Sequence, residues 1–201
     1  MESRLGSKLS NMEYSKLYLL GSSFRQAALQ VTCDTINNDL PILYGEVELD
    51  SPLVFSYYSG AKAYDLVGTG WASLFLFSQK IVLALEQNGI SGWKTYPAKV
   101  FDNKAKELTG YSLFSVTGRC GPIDPSKGEI VWKAPPVPEG NPFQVKRGLY
   151  FESSSWDGND IFIPKGSRAI VITEKVKQIL TNIKVTNVEM TRLTEEESLV
   201  S

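Results

Sequence analysis

Two stretches decide the fold: residues 74–97, LFLFSQKIVLALEQNGISGWKTYP, and residues 169–192, AIVITEKVKQILTNIKVTNVEMTR. Laid over each other without a gap, they lie 95 residues apart, and Phe77 meets Ile172, Ser78 meets Thr173, Lys80 meets Lys175, Ile81 meets Val176, Leu85 meets Leu180 and Ile90 meets Val185. Few positions are identical, but the chemistry recurs: an apolar run, a hydroxyl residue, an amphipathic helix, then an alternating strand. In the second stretch Ile172, Val176, Ile179, Leu180 and Ile183 fall on one helical stripe. Thr173 stands where an N-cap belongs, and Glu174 sits in the first turn, where the helix dipole favours a negative charge. Ser78 holds the same place in the first stretch, and Asn88-Gly89 ends that helix, because glycine takes the left-handed conformation without steric penalty. The pattern predicts two related halves, each with a strand–helix–strand repeat packed on a sheet.

Working outward, β-branched and aromatic runs predict strands over Tyr14–Leu20, Leu43–Leu49, Leu53–Tyr58, Trp93–Phe101, Tyr111–Thr117, Glu129–Lys133, Leu149–Glu152 and Ala169–Thr173. Residues 23–40 read equally as helix or as strand and turn. Pro97 lacks an N–H, which places the strand around it at a sheet edge. The run APPVPEGNP, residues 134–142, is a surface connector. Residues 1–12 and the acidic residues 194–201 are expected to be frayed. The expectation is one α+β globular domain over residues 1–201, with mixed, mainly antiparallel sheets.

A hydrophobic content of 42% supplies an ample core, and a net charge of -1 gives no electrostatic drive toward nucleic acid or anionic lipid. No apolar run is long enough for a transmembrane helix, and residues 1–16 lack the core of a signal peptide, so a cytoplasmic protein is expected. Cys33 and Cys120 have no CxxC partner, which argues against zinc and for two reduced thiols. There are no histidines, so the commonest general base and metal ligand are missing. A non-enzymatic protein without cofactor is the expectation.

The densest candidate site is the loop holding Trp156, Asp157, Gly158, Asp160 and Phe162. Its two carboxylates could ligate a divalent cation. The alternative is a turn in which Asp and Asn bond locally, Gly158 takes positive φ, Asp160 accepts hydrogen bonds within its own loop, and a mostly buried Trp156 with Phe162 pins the loop to the core. Gly68-Thr69-Gly70-Trp71 lacks the GxxxxGK[ST] spacing of a phosphate loop and reads as a tight connection into a strand. Trp132, Tyr57 and Tyr58 are candidate anchors for a partner protein.

The stretch SSWDGNDIFIPKGSRAIVITEKVKQIL, followed by VTNVEM, resembles the C-terminal signature of a bacterial family of immunity proteins from polymorphic toxin systems, with its Trp-x-Gly-x-Asp-Ile-Phe loop. The upstream stretch DLVGTGWASLFLFSQKIVLALEQNGISGWKTYP is similar to the same family's middle section, although Gln79 replaces the usual acidic residue. Trp156, Gly158 and Asp160 are the positions that match the motif. The resemblance implies a protein that binds a cognate toxin and blocks it. A carboxylate- or metal-dependent enzyme and a homo-oligomeric scaffold are the alternatives, and the first 50 residues carry no match.

Overall fold

The computed structural model describes residues 13–199. It is an α+β fold, with far more strand than helix. In its first part come β1 (Leu17–Ser22), β2 (Gln30–Thr32), a single-turn α1 (Leu40–Leu43), β3 (Leu53–Ser59), β4 (Leu66–Thr69), β5 (Phe75–Ser78), α2 (Gln79–Gln87), β6 (Trp93–Phe101) and β7 (Glu107–Leu108). In its second part come β8 (Tyr111–Val116), β9 (Gly118–Cys120), β10 (Glu129–Lys133), β11 (Phe143–Arg147), β12 (Ile161–Pro164), β13 (Ile170–Thr173), α3 (Glu174–Asn182), β14 (Val188–Arg192) and β15 (Glu197–Leu199). Among the described residues no helix is long and apolar enough to cross a membrane.

Three sheets result. One runs β3-β2-β4-β5-β8-β6-β7, and a further pairing of β3 with β6 closes its first six strands into a barrel. The second is open, in the order β14-β1-β13-β12-β9, and the third is β10-β11-β15. Pairings β2–β4, β3–β6 and β9–β12 are parallel and the others antiparallel. Each nine-residue helix follows its strand without a break. In the barrel β8 lies between β5 and β6, and in the open sheet β1 lies between β13 and β14. The barrel sheet is thus built from strands consecutive in sequence, β2 to β8, whereas in the open sheet the first strand, β1, is inserted between two strands of the C-terminal part, β13 and β14.

The registers of the two sheets agree residue by residue. Leu76 faces Leu113 as Val171 faces Leu19, and Tyr96 faces Leu113 as Thr191 faces Leu19. Leu66 faces Phe77 as Ile161 faces Ile172. Both helices end in the same way. Gly89 N–H bonds to Glu86 C=O and Ile90 N–H to Leu85 C=O, and the bonds Lys184 to Thr181 and Val185 to Leu180 match them. Gly89 has φ +58° and Lys184 has φ +51°, so a lysine adopts the left-handed conformation that glycine takes freely.

One core runs through both sheets, from Tyr18 and Leu20 to Val176 and Leu180, with Phe77 and Phe114 stacked at 4.2 Å between centroids. The helical stripe of the first unit, Ile81, Ala84 and Leu85, and that of the second, Val176 and Leu180, are buried in accord with the periodicity. Four expectations are corrected. Leu43–Leu49 is not a strand: α1 ends at Leu43, and the residues after it are irregular because side chains capture their carbonyls, Arg119 at Tyr44 and Tyr96 at Val47. Pro97 is not on an edge strand: it faces Ser112 of β8, and on the other side β3 begins pairing only at Ala98, so no N–H is missed. Leu149–Glu152 is not a strand but leads into a 3₁₀ turn at Ser153–Ser155, with one bridge from Phe151 to Ile123. The acidic stretch expected to fray supplies β15, because Lys133 at 2.8 Å and Arg147 at 2.9 Å neutralise Glu197. The expected fraying of residues 1–12 lies outside the described residues.

Ser78 and Thr173 are N-cap residues with extended backbones, but neither hydroxyl caps its helix. Each instead donates to an aspartate just ahead of the preceding strand: Ser78 to Asp65 at 3.0 Å and Thr173 to Asp160 at 3.4 Å. The Asp65 carboxylate also accepts from Thr186 N–H at 2.9 Å, the Thr186 hydroxyl at 2.8 Å and Lys80 Nζ at 3.0 Å. Asp160 accepts from Ser91 N–H at 3.2 Å and its hydroxyl at 3.4 Å, with Lys175 at 3.6 Å. Each aspartate thus binds the helix start of its own sheet to the turn that follows the other helix.

Burial opposes ionisation of Asp65, but hydrogen bonds from Thr186, Lys80 and Ser78 outweigh it and hold its pKa below the usual carboxylate value. Asp65→Asn should lower unfolding free energy by about 2–4 kcal/mol at pH 7, through loss of several hydrogen bonds to a charged acceptor. A depressed pKa gives stability that is full above the unfolded value and lost as pH falls through the folded one. In urea titrations the gap between wild type and Asp65→Asn should therefore narrow below about pH 4.

Candidate functional site

The loop predicted from sequence is a buckle. Phe162 is fully buried, in a smaller cluster with Leu17, Phe151 and Val171. Trp156 is only half-buried: its ring lies 5.5 Å from that of Phe162, and its Nε1–H donates to Asn159 C=O at 3.0 Å. The sequence reading had it mostly buried, but with one face against Phe162 the other is left to solvent. Gly158 has φ +85° and open space around it. Asp157 accepts from Arg119 N–H at 2.6 Å and Asn159 N–H at 3.0 Å. Contrary to expectation, the Asp160 carboxylate does not bond within its own loop but reaches across to Ser91. The two carboxylates are turned to different backbone partners, and among the described residues no group of three acidic or cysteine side chains could hold a metal.

A wide concavity lies elsewhere. A cleft of about 770 Å³ opens between β1 and β14 on one wall and the β4–β5 turn on the other. Its floor and walls are mostly apolar, with Leu19, Gly21, Trp71 and Leu149, while Gln30, Glu189, Thr191 and Glu196 supply polar groups. This is the size and composition of a binding site. Gly68 in β4 leaves room for the Gln30 side chain, whose amide lies where a Cβ would stand. Phe24 stands at the mouth, 80% exposed with φ +46°, and Ser73 on the opposite wall has φ +64°. Side chains other than glycine's are held in this conformation at a cost of about 1–2 kcal/mol, and such strain concentrates at binding sites.

The free charge of the cleft is negative. Arg168 on its rim is engaged by Asp39, at 2.9 Å between Nη2 and Oδ1, and that hydrogen bond holds the Asp39 carboxyl below its ordinary range. Burial pushes the pKa of Glu196 up, and repulsion from Glu189 and Glu197 pushes it further. Cys33 and Cys120 are buried free thiols, and burial raises Cys120 to about 12, which removes it as a nucleophile at neutral pH. A second exposed apolar surface is the β10–β11 hairpin, with Trp132, Ile130 and Val137.

No protein-family model matches this chain, and no curated protein is significantly similar to it. Of the cleft, the sequence singles out only Gly68–Trp71, as a tight connection into a strand; Gly70 and Trp71 do lead toward β5, but Gly68 and Thr69 are part of β4. Glu189 and Thr191 carried a usable signal: they alternate with the inward Val188 and Met190 on β14 and so face the other side of the sheet.

Phe162→Ala should cost about 3–5 kcal/mol in chemical denaturation, as a large aromatic deletion from a core does, and Trp156→Ala distinctly less. A carboxyl with a raised folded pKa gives stability that is present below the unfolded value and lost as pH rises through the folded one. Glu196→Gln should therefore raise the melting temperature at pH 7 relative to wild type, and that advantage should vanish near about pH 4.

Proposed function

We propose that this protein neutralises a cognate bacterial toxin in the cytoplasm by stoichiometric, non-covalent binding. The observation that carries the reading is the open cleft, apolar within and acidic at its wall, with a solvent-exposed phenylalanine held at its mouth by strained backbone. Binding anchors are characteristically aromatic residues beside pockets from which water is excluded. The residues that resemble the immunity family, Trp156, Gly158 and Asp160, belong in this reading to the frame that supports the cleft. The reading is non-enzymatic, and it is favoured by the lack of histidine and by carboxylates in the Trp156–Phe162 loop that are committed to backbone donors.

The frame itself we take to be a duplication. Residues 65–97 and 160–192 are read as two copies of one unit, which starts earlier than the apolar runs suggest. Supporting this are Asp65 and Asp160, Ser78 and Thr173, Lys80 and Lys175, and Ser91 and Thr186, four pairs at one offset that make equivalent contacts. Leu53 and Phe55 correspond in turn to Leu149 and Phe151.

A toxin's own target must be outcompeted, which calls for sub-nanomolar affinity, roughly -12 kcal/mol or better. Co-expression of the neighbouring toxin gene with this one should restore growth, and the two proteins should co-elute at fixed stoichiometry in size-exclusion chromatography with light scattering. Rescue without a complex would indicate an enzyme acting on the toxin's target. A concentration-dependent mass with no rescue would favour a homo-oligomeric scaffold.

A further inference from the structure

The open cleft has a filled counterpart. Beside the barrel, α1 lies against β8, with Leu43 fully buried, and residues 44–48 follow it. Tyr96 Oη donates to Val47 C=O at 2.6 Å, Arg119 Nη2 to Tyr44 C=O at 2.7 Å, and Tyr44 Oη to Ser167 C=O at 2.9 Å. The positions that hold this segment map onto the walls of the open cleft. Lys94, Tyr96 and Ser167 correspond to Glu189, Thr191 and Ala72, 95 residues away. Arg119 faces Ile163 across a parallel pairing as Gln30 faces Gly68, so these two correspond as well. The part of the chain that could fill the open cleft, between β9 and Leu149, instead forms the β10–β11 hairpin and pairs with β15. The groove is built to hold a segment, and among the described residues its segment is missing.

The occupant's chemistry follows from what differs between the two grooves. The filled one presents Lys94 and Arg119, and its segment carries Glu48 at 3.6 Å from the former and Glu46 at 4.0 Å from the latter. The open one presents Glu189 and Gln30 at those positions, with Glu196 beside them and its charge already disfavoured. A cation placed there would relieve the repulsion between the two glutamates. Glu46 and Glu48, two positions apart, reach Arg119 and Lys94, so cations at the same two positions can reach the groups that stand there in the open groove.

We infer that the cleft takes a segment of a partner protein in the manner of residues 43–48, which leave α1 through a turn at Gly45: an apolar anchor, then Lys or Arg at two alternate positions. This rests on the toxin-binding reading only in taking the segment to be the toxin's.

Two peptides test it by calorimetry: a copy of residues 42–48, ILYGEVE, and the same copy carrying Glu46→Lys and Glu48→Lys. The substituted peptide should bind the full chain at least about tenfold more tightly than the unsubstituted one. Raising the salt concentration should weaken it. Glu189→Lys should reverse the preference, and Ala72→Trp, which fills the cleft, should abolish binding; unchanged thermal melts would show that both variants are folded. No binding of the substituted peptide, or binding indifferent to both variants, overturns the inference. The same variants then enter the co-expression assay beside Trp132→Ala on the hairpin. Loss of rescue in the cleft variants alone supports the inference. Full rescue by them overturns it while leaving toxin neutralisation intact. Failure of wild type to rescue overturns the toxin reading, and the peptide titration still decides the cleft.

Discussion

The carboxylates of Asp65 and Asp160 each sit where three segments meet: the start of a strand, the start of a helix, and the turn that follows the other helix. Almost every other feature depends on these two junctions. Each aspartate receives donors both from its own sheet and from the opposite one, so neither sheet can shift without breaking bonds at both ends. Apolar contact alone would tolerate some sliding between the sheets, because burial is non-directional. Hydrogen bonds to a charged acceptor do not, and they convert a shared core into a fixed relative position. The left-handed residues beside the junctions, Gly92 and Asn187, belong to the same constraint. The buried Asn187 side chain donates to Leu66 C=O at 2.9 Å, and a Cβ at Gly92 would run into Ile161 C=O.

With the frame fixed in this way, the two sheets diverge in how they are finished. In one, residues 33–59 close the wall and plug the end. In the other, Gly148–Trp156 runs irregularly, and the β10–β11 hairpin folds outward onto β15. The charge of the walls diverges with them, from Lys94 and Arg119 to Glu189 and Gln30. The strained Phe24 and Ser73 lie at the edges of the cleft and not in the filled groove.

Much of the frame was legible in the sequence. The helices and the strands on either side could be placed because an apolar stripe, a hydroxyl residue and Asn88-Gly89 carry local signals that tertiary structure does not override. The rest was hidden for identifiable reasons. β2 and β9 are three residues long, too short for any periodicity to show. β4 contains Gly68 and β12 ends at Pro164, residues that read as breakers. The alternation of Leu43–Leu49 is real, but its carbonyls are taken by Arg119 and Tyr96, far away in sequence. Of the candidate loop, Phe162 as core and Gly158 at positive φ were readable from composition. The bond from Asp160 to Ser91 was not, because it spans the two sheets. The cleft was invisible since it is a space bounded by segments up to about 170 positions apart, and concavity leaves no local mark.

The insertion of β1 between β13 and β14 also shapes how the molecule comes into being. Leu17–Ser22 is among the first described segments to leave a ribosome, yet both strands that flank it, β13 and β14, are among the last. The open sheet cannot assemble until synthesis has passed Arg192, and the barrel cannot close before Tyr111–Val116 has emerged. Pairings of such long sequence separation are slow to form and leave strand edges exposed meanwhile. The barrel's strands are therefore complete well before those of the open sheet, and no cut between β6 and β8 could yield a fragment that keeps all the strands of its own sheet.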